Sequence, residues 1–404
     1  MSRPQKSNRP FSVTDFQHWD LISEFRALLA KHLPEEPPQL LGGPTRLLLR
    51  EDYLSSFLFA IFNPQLDSMR GLCAASHFSQ VQQQVSRRPI SLGSFSEAQH
   101  VLDARLLEQI FLQLARDNLI EEQQKNPASP EIKRLIKLVD STVLRALPRM
   151  QWAEWRHQHK TQRSVRLHIK FNLLNSLPDE ALITEGKRCE RKALAEMVEE
   201  NDFYVGDRYY GRDYGFLHQL TEKNCGYIMR LYAEAVYQII KENSLTENDH
   251  AAGVVSDCLV KLGGRPGADD PLVRIICIDK PTLDEPLFLV TNQLDESQMS
   301  AAEVAEIYHQ RWEIELFFRW LKCIFQEPGK WHWLAESENG AGIQVYLSLI
   351  AALLLARRLG RLPNKRTMEA LNFYLAGMID AEELMAAIQR EEMKRKKTAS
   401  KQKP

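Results

Sequence analysis

The stretch RLIKLVDSTVL, residues 134–144, places short apolar runs on both sides of an aspartate, Asp140. A run of this length that is rich in Leu, Ile and Val predicts a buried strand. SVRLHIKFNLL at 164–174 alternates apolar and polar residues, and EALITEG follows at 180–186. Alternation of this kind predicts half-buried strands, so we expect a sheet to begin in this part of the chain.

Strands and helices alternate after these first strands. RKALAEMVEE at 191–200 predicts a helix, and DFYVGD at 202–207 predicts a strand that ends at Asp207. GFLHQLTEKN at 215–224 predicts another helix, followed by the strand GYIMRLYA at 226–233. Several strands followed by strand–helix alternation are typical of a mixed α/β sheet.

The segments before and after this predicted sheet have mainly helical sequence patterns. The N-terminal third has apolar residues at helical spacing at 16–33, 48–62 and 97–124, with Ser94 or Ser96 as a candidate helix cap. Long helices are also expected at 301–323 and 345–360, and the basic C-terminus EEMKRKKTASKQKP is expected to be disordered. The predicted domains are a helical one at 1–130, a core in two parts at 131–233 and 299–375, a β-rich insertion at 234–298, and a helical end with a basic tail at 376–404.

Composition sets outer limits on the function. The chain has 404 residues, 44% of them hydrophobic and 26% charged, which excludes a disordered or fibrous protein. Six scattered cysteines indicate reduced thiols, and no spacing suggests a zinc site. Residues 1–20 lack a signal-peptide pattern, and the apolar run at 345–356 is too short to span a bilayer. We therefore expect a cytoplasmic protein.

The formal net charge of -1 points to no polyanionic partner when the chain is taken whole, but the charge is unevenly distributed. Residues 131–170 contain ten Lys or Arg and three acidic residues, and Asp140 lies among them. Residues 389–404 contain seven Lys or Arg and two Glu. A basic run is often only a solvated face, yet a basic excess around a candidate active-site acid favours nucleic-acid binding.

Three acidic residues stand out by position: Asp140 and Asp207 at predicted strand ends, and Glu315 inside the predicted helix at 301–323. Carboxylates gathered at a sheet edge repel one another unless a cation neutralises them. Mg²⁺ prefers such oxygen ligands, and a pair of ions can activate both groups in phosphoryl transfer. The alternative for each acid alone is a helix cap or a solvated turn.

The helix around Glu315 carries a polar stripe. At 100° per residue, Tyr308, Arg311, Glu315 and Lys322 fall within about 60° of one another, and Arg319 lies beside them. The rest of this helix is largely apolar, so the stripe predicts either internal salt bridges or a bound anion. Pairing of Glu315 with Arg311 or Arg319 would explain the charges alone.

The pattern Y-x2-R-x3-E-x6-K formed by these residues resembles the signature of bacterial insertion-sequence DDE transposases of the IS-four type. Asp140-Ser141-Thr142 and Asp207-Arg208 resemble the settings of the family's two aspartates. The predicted β-rich insertion between Asp207 and Glu315 is also the family's arrangement. The resemblance covers roughly residues 131–325, and the N-terminal third is similar more loosely.

The resemblance implies an RNase H-like catalytic core in which Asp140, Asp207 and Glu315 bind two Mg²⁺ ions, with Mn²⁺ as a substitute. Such enzymes cut double-stranded DNA at the terminal inverted repeats of their element and join the ends to target DNA, acting as a dimer. The residues implied to contact DNA are Tyr308, Arg311, Lys322, Arg208 and Arg319. The helical domain is implied to read the repeats, with Arg87 and Arg88 as its best candidates.

Three functions are open at this level. Beside a transposase, the sequence is compatible with a DNA-binding descendant that no longer cuts and with a metal-dependent endonuclease that does not transfer strands. Relatives that form a DNA hairpin stack a flipped base on a Trp of the insertion. The insertion here has no Trp, and its comparable aromatic residue, Phe288, is either a stacking residue or a core strand residue.

Overall fold

The computed structural model describes residues 20–32, 50–63, 66, 68–125, 135–157, 160–264, 267, 270–327, 330–331, 333–375 and 378–401. These residues belong to two compact units. One comprises residues 119–143 and 165–316 and is called the sheet unit below; the other comprises residues 1–118, 144–164 and 317–404 and is called the helical unit. Residues 33–49, which include the segment between the first two predicted helices, lie outside the described residues.

A large mixed sheet dominates the sheet unit, as the sequence predicted. The described strands are β1 Ile136–Arg145, β2 Glu154–His157, β3 Lys160–Asn172, β4 Leu177–Glu185, β5 Phe203–Gly206, β6 Gly226–Arg230, β7 Tyr237–Glu242, β8 Val254–Leu262, β9 Leu272–Ile278, β10 Leu287–Thr291, β11 Gln326–Glu327 and β12 Lys330–Trp331. Strands β11 and β12 form a separate two-stranded sheet, and they and β2 belong to the helical unit. Strands β3 and β4 precede β1, β5 and β6 across the sheet, and β10, β9, β8 and β7 follow. This order of β4, β3, β1, β5 and β6 is that of the expected RNase H-like core.

The sheet combines parallel and antiparallel pairing. Strand β5 pairs in parallel with both β1 and β6, and the chain between parallel strands supplies the helices Glu190–Met197, Arg208–Gly211 and Tyr214–Glu222. Strands β7 to β10 are antiparallel and extend the core sheet through the pairing of β10 with β6. The predicted β-rich insertion is thus continuous with the core sheet. Its outer strand β7 carries a register irregularity between Ile239 and Lys241.

The helix expected at 301–323 is two helices, Ala301–His309 and Trp312–Phe325. The backbone N–H of Arg311 bonds to the carbonyl of Tyr308 at 3.0 Å, and that of Ile314 bonds to the carbonyl of Arg311 at 3.3 Å. Bonds across three residues tighten the chain and turn it between the helices. No Gly or Pro marks this turn, which is why periodicity alone predicted one continuous helix.

A fully buried ion pair joins the insertion strands to the first of these helices. Arg274 on β9 donates to both carboxylate oxygens of Asp257 on β8, at 2.8 and 2.6 Å, and to the carbonyl of Met299 at 2.6 Å. Asp249 accepts a bond from the backbone N–H of Ala302 at 2.8 Å. These contacts hold the start of the helix Ala301–His309 against the sheet.

The helical unit contains more helices than expected. Its helices are Asp20–His32, Arg50–Phe62, Met69–Ala75, Ser79–Gln84, Leu92–Val101, Ala104–Lys125, Glu338–Leu359, Lys365–Leu375 and Ala381–Lys401. The helix Ala104–Lys125 has residues in both units, and so does the helix Trp312–Phe325 described above. Ser91 caps the helix Leu92–Val101 by accepting from Ser94, so the prediction of Ser94 or Ser96 as the cap was wrong. The last helix continues to Lys401, although its basic run was expected to be disordered.

The helix predicted at 97–124 is also divided, and one side chain explains the division. The amide of Asn339 donates to the carbonyls of Gln99, at 2.7 Å, and Leu102, and its oxygen accepts from the N–H of Ala104 at 2.9 Å. One residue thus satisfies the end of one helix and the start of the next, groups that a helix terminus leaves unpaired.

The helix Glu338–Leu359 is the centre of the helical unit. By length and composition its residues Glu338–Arg357 could cross a membrane, which revises the expectation that this apolar run is too short. Because 94% of that span is buried inside the fold, the same residues have the burial of a core helix. The helix ends at Gly360, whose φ of 69° is the left-handed conformation that glycine adopts without strain.

We expect Asp257→Ala to destabilise the protein by about 3–5 kcal/mol, because the guanidinium of Arg274 would remain buried without its charged partner. The measurement is urea unfolding followed by circular dichroism. Glu285→Ala is the matched control, since Glu285 pairs with Arg230 at an exposed site and its loss should cost less than about 1 kcal/mol. Equal losses for the two variants would contradict this prediction.

Candidate active site

The parallel pairing of β1 and β5 places Asp140 and Asp207 side by side. Val139 is in register with Gly206, so the next residue on each strand is one of the two aspartates. Neighbouring strands lie about 4.8 Å apart. Asp140 lies in the middle of β1, which continues to Arg145, so the prediction that it ends its strand was wrong. The prediction for Asp207 is confirmed, because it follows β5 directly.

Asp207 also caps the short helix Arg208–Gly211, accepting a bond from the N–H of Tyr209 at 2.8 Å. Two glycines allow the close packing of this turn. A Cβ at Gly206 would lie 2.8 Å from the sulfur of Met229, and one at Gly211 would lie 2.2 Å from the carbonyl oxygen of Arg230. The exposed Arg208 lies with its guanidinium carbon 5.4 Å from the ring centroid of Tyr232.

Arg311 connects the third acid to the first. Its Nη2 donates to Oε1 of Glu315 at 2.6 Å, and its Nη1 lies 3.6 Å from Oδ2 of Asp140. The guanidinium carbon is 5.7 Å from the ring centroid of Tyr308, which is 8% exposed. Of the two interpretations of the polar stripe, an internal salt bridge is therefore present for Arg311 and Glu315.

Arg319 and Lys322 lie further along the helix that carries Glu315, in its part that belongs to the helical unit. Arg319 is exposed and Lys322 is half-buried. The sheet unit thus brings together Asp140, Asp207, Tyr308, Arg311 and Glu315 and leaves the DNA-binding roles of Arg319 and Lys322 as predictions.

A fourth carboxylate, which no sequence pattern predicted, lies near Asp140. Glu190, at the start of the helix Glu190–Met197, forms an ion pair with Arg166 on β3. Arg166 also donates to the Ser141 hydroxyl at 3.1 Å and to the carbonyl of Gly186 at 3.1 Å. No local pattern marks this contact, because it joins side chains 24 residues apart from two different elements.

Burial is the main influence on the pKa values of Asp140 and Glu190. Burial raises the pKa of Asp140 to about 7; the Ser141 backbone hydrogen bond opposes this rise, and the charge of Asp207 adds to it. Burial also raises the pKa of Glu190, an effect that the charge of Arg166 opposes and that of Asp207 reinforces. Burial thus favours the neutral form of both carboxyls, and a further positive charge nearby would favour their ionised form.

The four acids have the chemistry of ligands for a hard divalent cation, but in this structure their contacts are ion pairs with arginines. Hard cations bind carboxylate oxygens. These oxygens come from Asp140 on β1, Asp207 at the end of β5, and Glu190 and Glu315 on two helices. Within the described part of the chain, no three His, Cys, Asp or Glu side chains are close enough to hold a metal ion. Arg311 instead supplies positive charge between Asp140 and Glu315.

The surroundings of two further side chains, His168 and the candidate stacking residue Phe288, indicate structural roles. His168 on β3 is 3% exposed, and its Nε2 lies 3.0 Å from the Thr184 hydroxyl, which favours a buried strand histidine over a group that orients water. Phe288 on β10 is half-buried and packs against the hydrophobic core that includes Val290 and Val273. This packing favours a core strand aromatic over a base-stacking residue.

Comparison with known proteins identifies the class that this fold and site define. The family model described as Transposase DDE domain matches residues 131–354, which is more than half of the chain. The chain therefore belongs to the family of transposases with a DDE domain, and the resemblance to insertion-sequence DDE transposases is confirmed. The narrower IS-four type stays a prediction. Enzymes of this family generally use divalent metal ions.

The individual relatives are insertion-sequence proteins. The chain is similar to a probable transposase for insertion sequence element IS5377 from Geobacillus stearothermophilus, with 26% identity over 59% of this chain and 60% of the relative. It is also similar to a putative transposase for insertion sequence element IS4SA from Synechocystis, with 26% identity over 66% of this chain and 71% of that relative. The match thus spans less than two thirds of the first relative.

Among solved structures, the chain has a distant likeness to the piggyBac transposase in a synaptic complex with hairpin DNA. The sequence identity is 10%, the TM-score is 0.39, and the alignment covers 96% of this chain and 83% of that one. A likeness at this level carries no argument about this site.

His168 predicts a pH-dependent loss of stability. Burial lowers its pKa to about 4, whereas an unfolded histidine titrates near 6.5. The unfolded state therefore binds the proton first as the pH falls, and the free energy of unfolding should decrease by up to about 3 kcal/mol between pH 6.5 and pH 4. Urea unfolding at several pH values measures this slope. His168→Gln should flatten it, whereas replacement of the exposed His218 by Gln should not.

Asp207 makes two separable contributions, a helix cap and a negative charge. Asn caps helices as well as Asp does, so Asp207→Asn should keep the stability of the wild type or increase it slightly by relieving repulsion with Asp140. Asp207→Ala should cost about 1 kcal/mol because the N–H of Tyr209 loses its acceptor. Thermal and urea unfolding of both variants test this, and indistinguishable stabilities would contradict the capping role.

Proposed function

We propose that this protein catalyses transposition of a DNA insertion sequence by cutting at the element's terminal inverted repeats and joining the ends to target DNA. Asp140, Asp207 and Glu315 are the proposed metal ligands, with two Mg²⁺ ions as the physiological metal and Mn²⁺ as a substitute. The metal supplies activation of the attacking oxygen and stabilisation of the leaving oxygen in phosphoryl transfer. The single observation that supports this most is the register of β1 and β5, which brings Asp140 and Asp207 together.

The chain's own groups suit binding of a DNA strand beside these acids. The exposed Arg208 follows Asp207 directly, and the polar stripe of Tyr308 and Arg311 faces the same carboxylates. A guanidinium binds phosphate oxygens through two parallel hydrogen bonds, which fixes a strand in position as well as neutralising it. Lys322 and Arg319 are proposed to contact phosphates further along the strand.

The remaining parts of the proposal concern partners. The helical domain at 1–130 is proposed to bind the terminal repeats, and two copies of the chain are proposed to pair two element ends. Arg87, one of the two candidates in this domain, pairs with Glu51 at 2.5 Å, so Arg88, which is exposed, is the better candidate for phosphate contact. A location at the bacterial nucleoid follows from DNA as the partner.

The test uses the purified full chain, Mg²⁺ and a labelled duplex that carries one end of the element encoding it. Cleavage followed by joining to a second duplex supports transposition. Cleavage without joining would identify an endonuclease, and binding without cleavage would identify an inactive descendant. Either result would overturn the proposal as stated.

Asp140→Asn and Glu315→Gln should reduce cleavage by at least about 10³-fold while leaving duplex affinity within a few-fold of the wild type, because each removes a metal ligand and keeps the shape of the side chain. Gel-shift and cleavage assays on the same preparations separate the two effects. Glu313→Gln, on the same helix and outside the four acids, is the matched control. Full cleavage by Asp140→Asn would show that the site assignment is wrong.

Arg208→Ala should lower the affinity for duplex DNA several-fold. It should also reduce the slope of log affinity against log salt concentration by the amount that corresponds to about one phosphate contact. Titrations at several salt concentrations measure both quantities. Replacement of Arg188, whose guanidinium pairs with Glu196, by Ala gives the control for a general loss of charge. An unchanged salt dependence in Arg208→Ala would contradict the assignment of Arg208 as a phosphate ligand.

A further inference from the structure

Arg311 differs from an ordinary surface arginine in its burial and in its contacts. Its side chain is 16% exposed and lies between two acids that come from different elements, Asp140 on β1 and Glu315 on the helix Trp312–Phe325. The backbone turns immediately before this helix, and that turn presents Arg311 to both acids. The guanidinium is thus a positive charge held inside the carboxylate cluster.

The second arginine of the cluster, Arg166, differs from Arg311 in that its Nε has an acceptor. Arg166 uses its Nε for the carbonyl of Gly186 and its Nη1 for Ser141 and Glu190. The Nε of Arg311, by contrast, is buried and has no hydrogen-bond partner among the described residues. A buried donor without an acceptor costs free energy, so Arg311 would gain from an anion that also accepts from its Nε.

The charge balance points in the same direction. Asp140, Asp207, Glu190 and Glu315 bring four carboxyl groups, against the two guanidinium groups of Arg166 and Arg311. A divalent cation entering this cluster would gain from the carboxylates and would be repelled by Arg311. The divalent cation and the guanidinium of Arg311 therefore compete for Asp140 and Glu315.

We propose that Arg311 is an internal cation that holds Asp140 and Glu315 in the absence of metal, and that a divalent cation binds these acids only as Arg311 leaves them. This inference rests on the proposed function, because it takes the same carboxylates as the metal ligands. Beyond the proposed function, the inference states that Arg311 blocks the metal site until its guanidinium binds another anion.

A DNA phosphate is the anion that the free donor of Arg311 fits. A phosphate oxygen would accept from Nε as well as from Nη, giving Arg311 the two parallel bonds that its present contacts lack. Binding of DNA and binding of metal then favour each other, and by linkage each increases the affinity for the other by the same factor. The enzyme would carry its metal mainly when DNA is bound.

The experiment measures Mn²⁺ binding to the full chain without DNA, by the electron paramagnetic resonance signal of free Mn²⁺. Arg311→Met removes the charge and keeps most of the side-chain volume, and it should bind Mn²⁺ at least about tenfold more tightly than the wild type, since an opposite charge this close changes the proton affinity of a carboxylate by that factor or more. Arg311→Lys should stay close to the wild type because it keeps the charge. Arg188→Ala removes an arginine that pairs with Glu196, outside the four acids, and should bind as the wild type does.

Two results separate this inference from the proposed function. If Arg311→Met binds Mn²⁺ no more tightly than the wild type, while Asp140→Asn weakens Mn²⁺ binding, the competition is refuted and the metal site stands. If neither Asp140→Asn nor Glu315→Gln changes the Mn²⁺ affinity in the Arg311→Met background, the metal site is wrong and the proposed function falls with it. Circular dichroism and thermal unfolding of each variant establish that the comparison is made between folded proteins.

Discussion

The parallel register of β1 and β5 is the constraint on which the site depends. In two parallel neighbouring strands, the residues that follow a register pair also lie side by side. Because Val139 is in register with Gly206, Asp140 therefore lies beside Asp207. A shift by one residue would turn one of the two side chains to the opposite face of the sheet. The glycine at 206 is part of this constraint, because a larger residue there would collide with Met229 and Tyr210 directly beside Asp207.

The second organising feature is the way in which distant segments are fastened by polar side chains that have all of their partners. Arg274 and Asp257 satisfy each other inside the sheet unit, and Asn339 joins two helix ends in the helical unit. Arg311 differs from these side chains, because its buried Nε has no acceptor in the described structure. The same holds for other buried donors, including Nε of Arg163 and Nε1 of Trp320, so what distinguishes Arg311 is its position between two acids from different elements.

The strands of the core could be predicted from the sequence because their signal is local. The apolar runs around Asp140 and before Asp207 each determine one strand by their own periodicity, and the structure has both. The contacts that the sequence did not reveal join residues far apart in the chain. The pair Arg166–Glu190 and the caps supplied by Asn339, 235 residues from Ala104, depend on tertiary packing. The turn at Arg311 escaped prediction because the residues around it all favour a helix.

The pairing of β10 with β6 has a kinetic consequence for the newly made chain. Leu289 pairs with Arg230, so 289 − 230 = 59 residues must be synthesised before β6 receives its second neighbour. At about 5–20 residues per second, this takes roughly 3–12 s, during which one edge of β6 has unpaired backbone groups. The segment between them contains β7, β8 and β9, which pair with one another in antiparallel fashion. Strand β10 is the last strand of this sheet to be synthesised, and its pairing with β6 joins the insertion strands to the core.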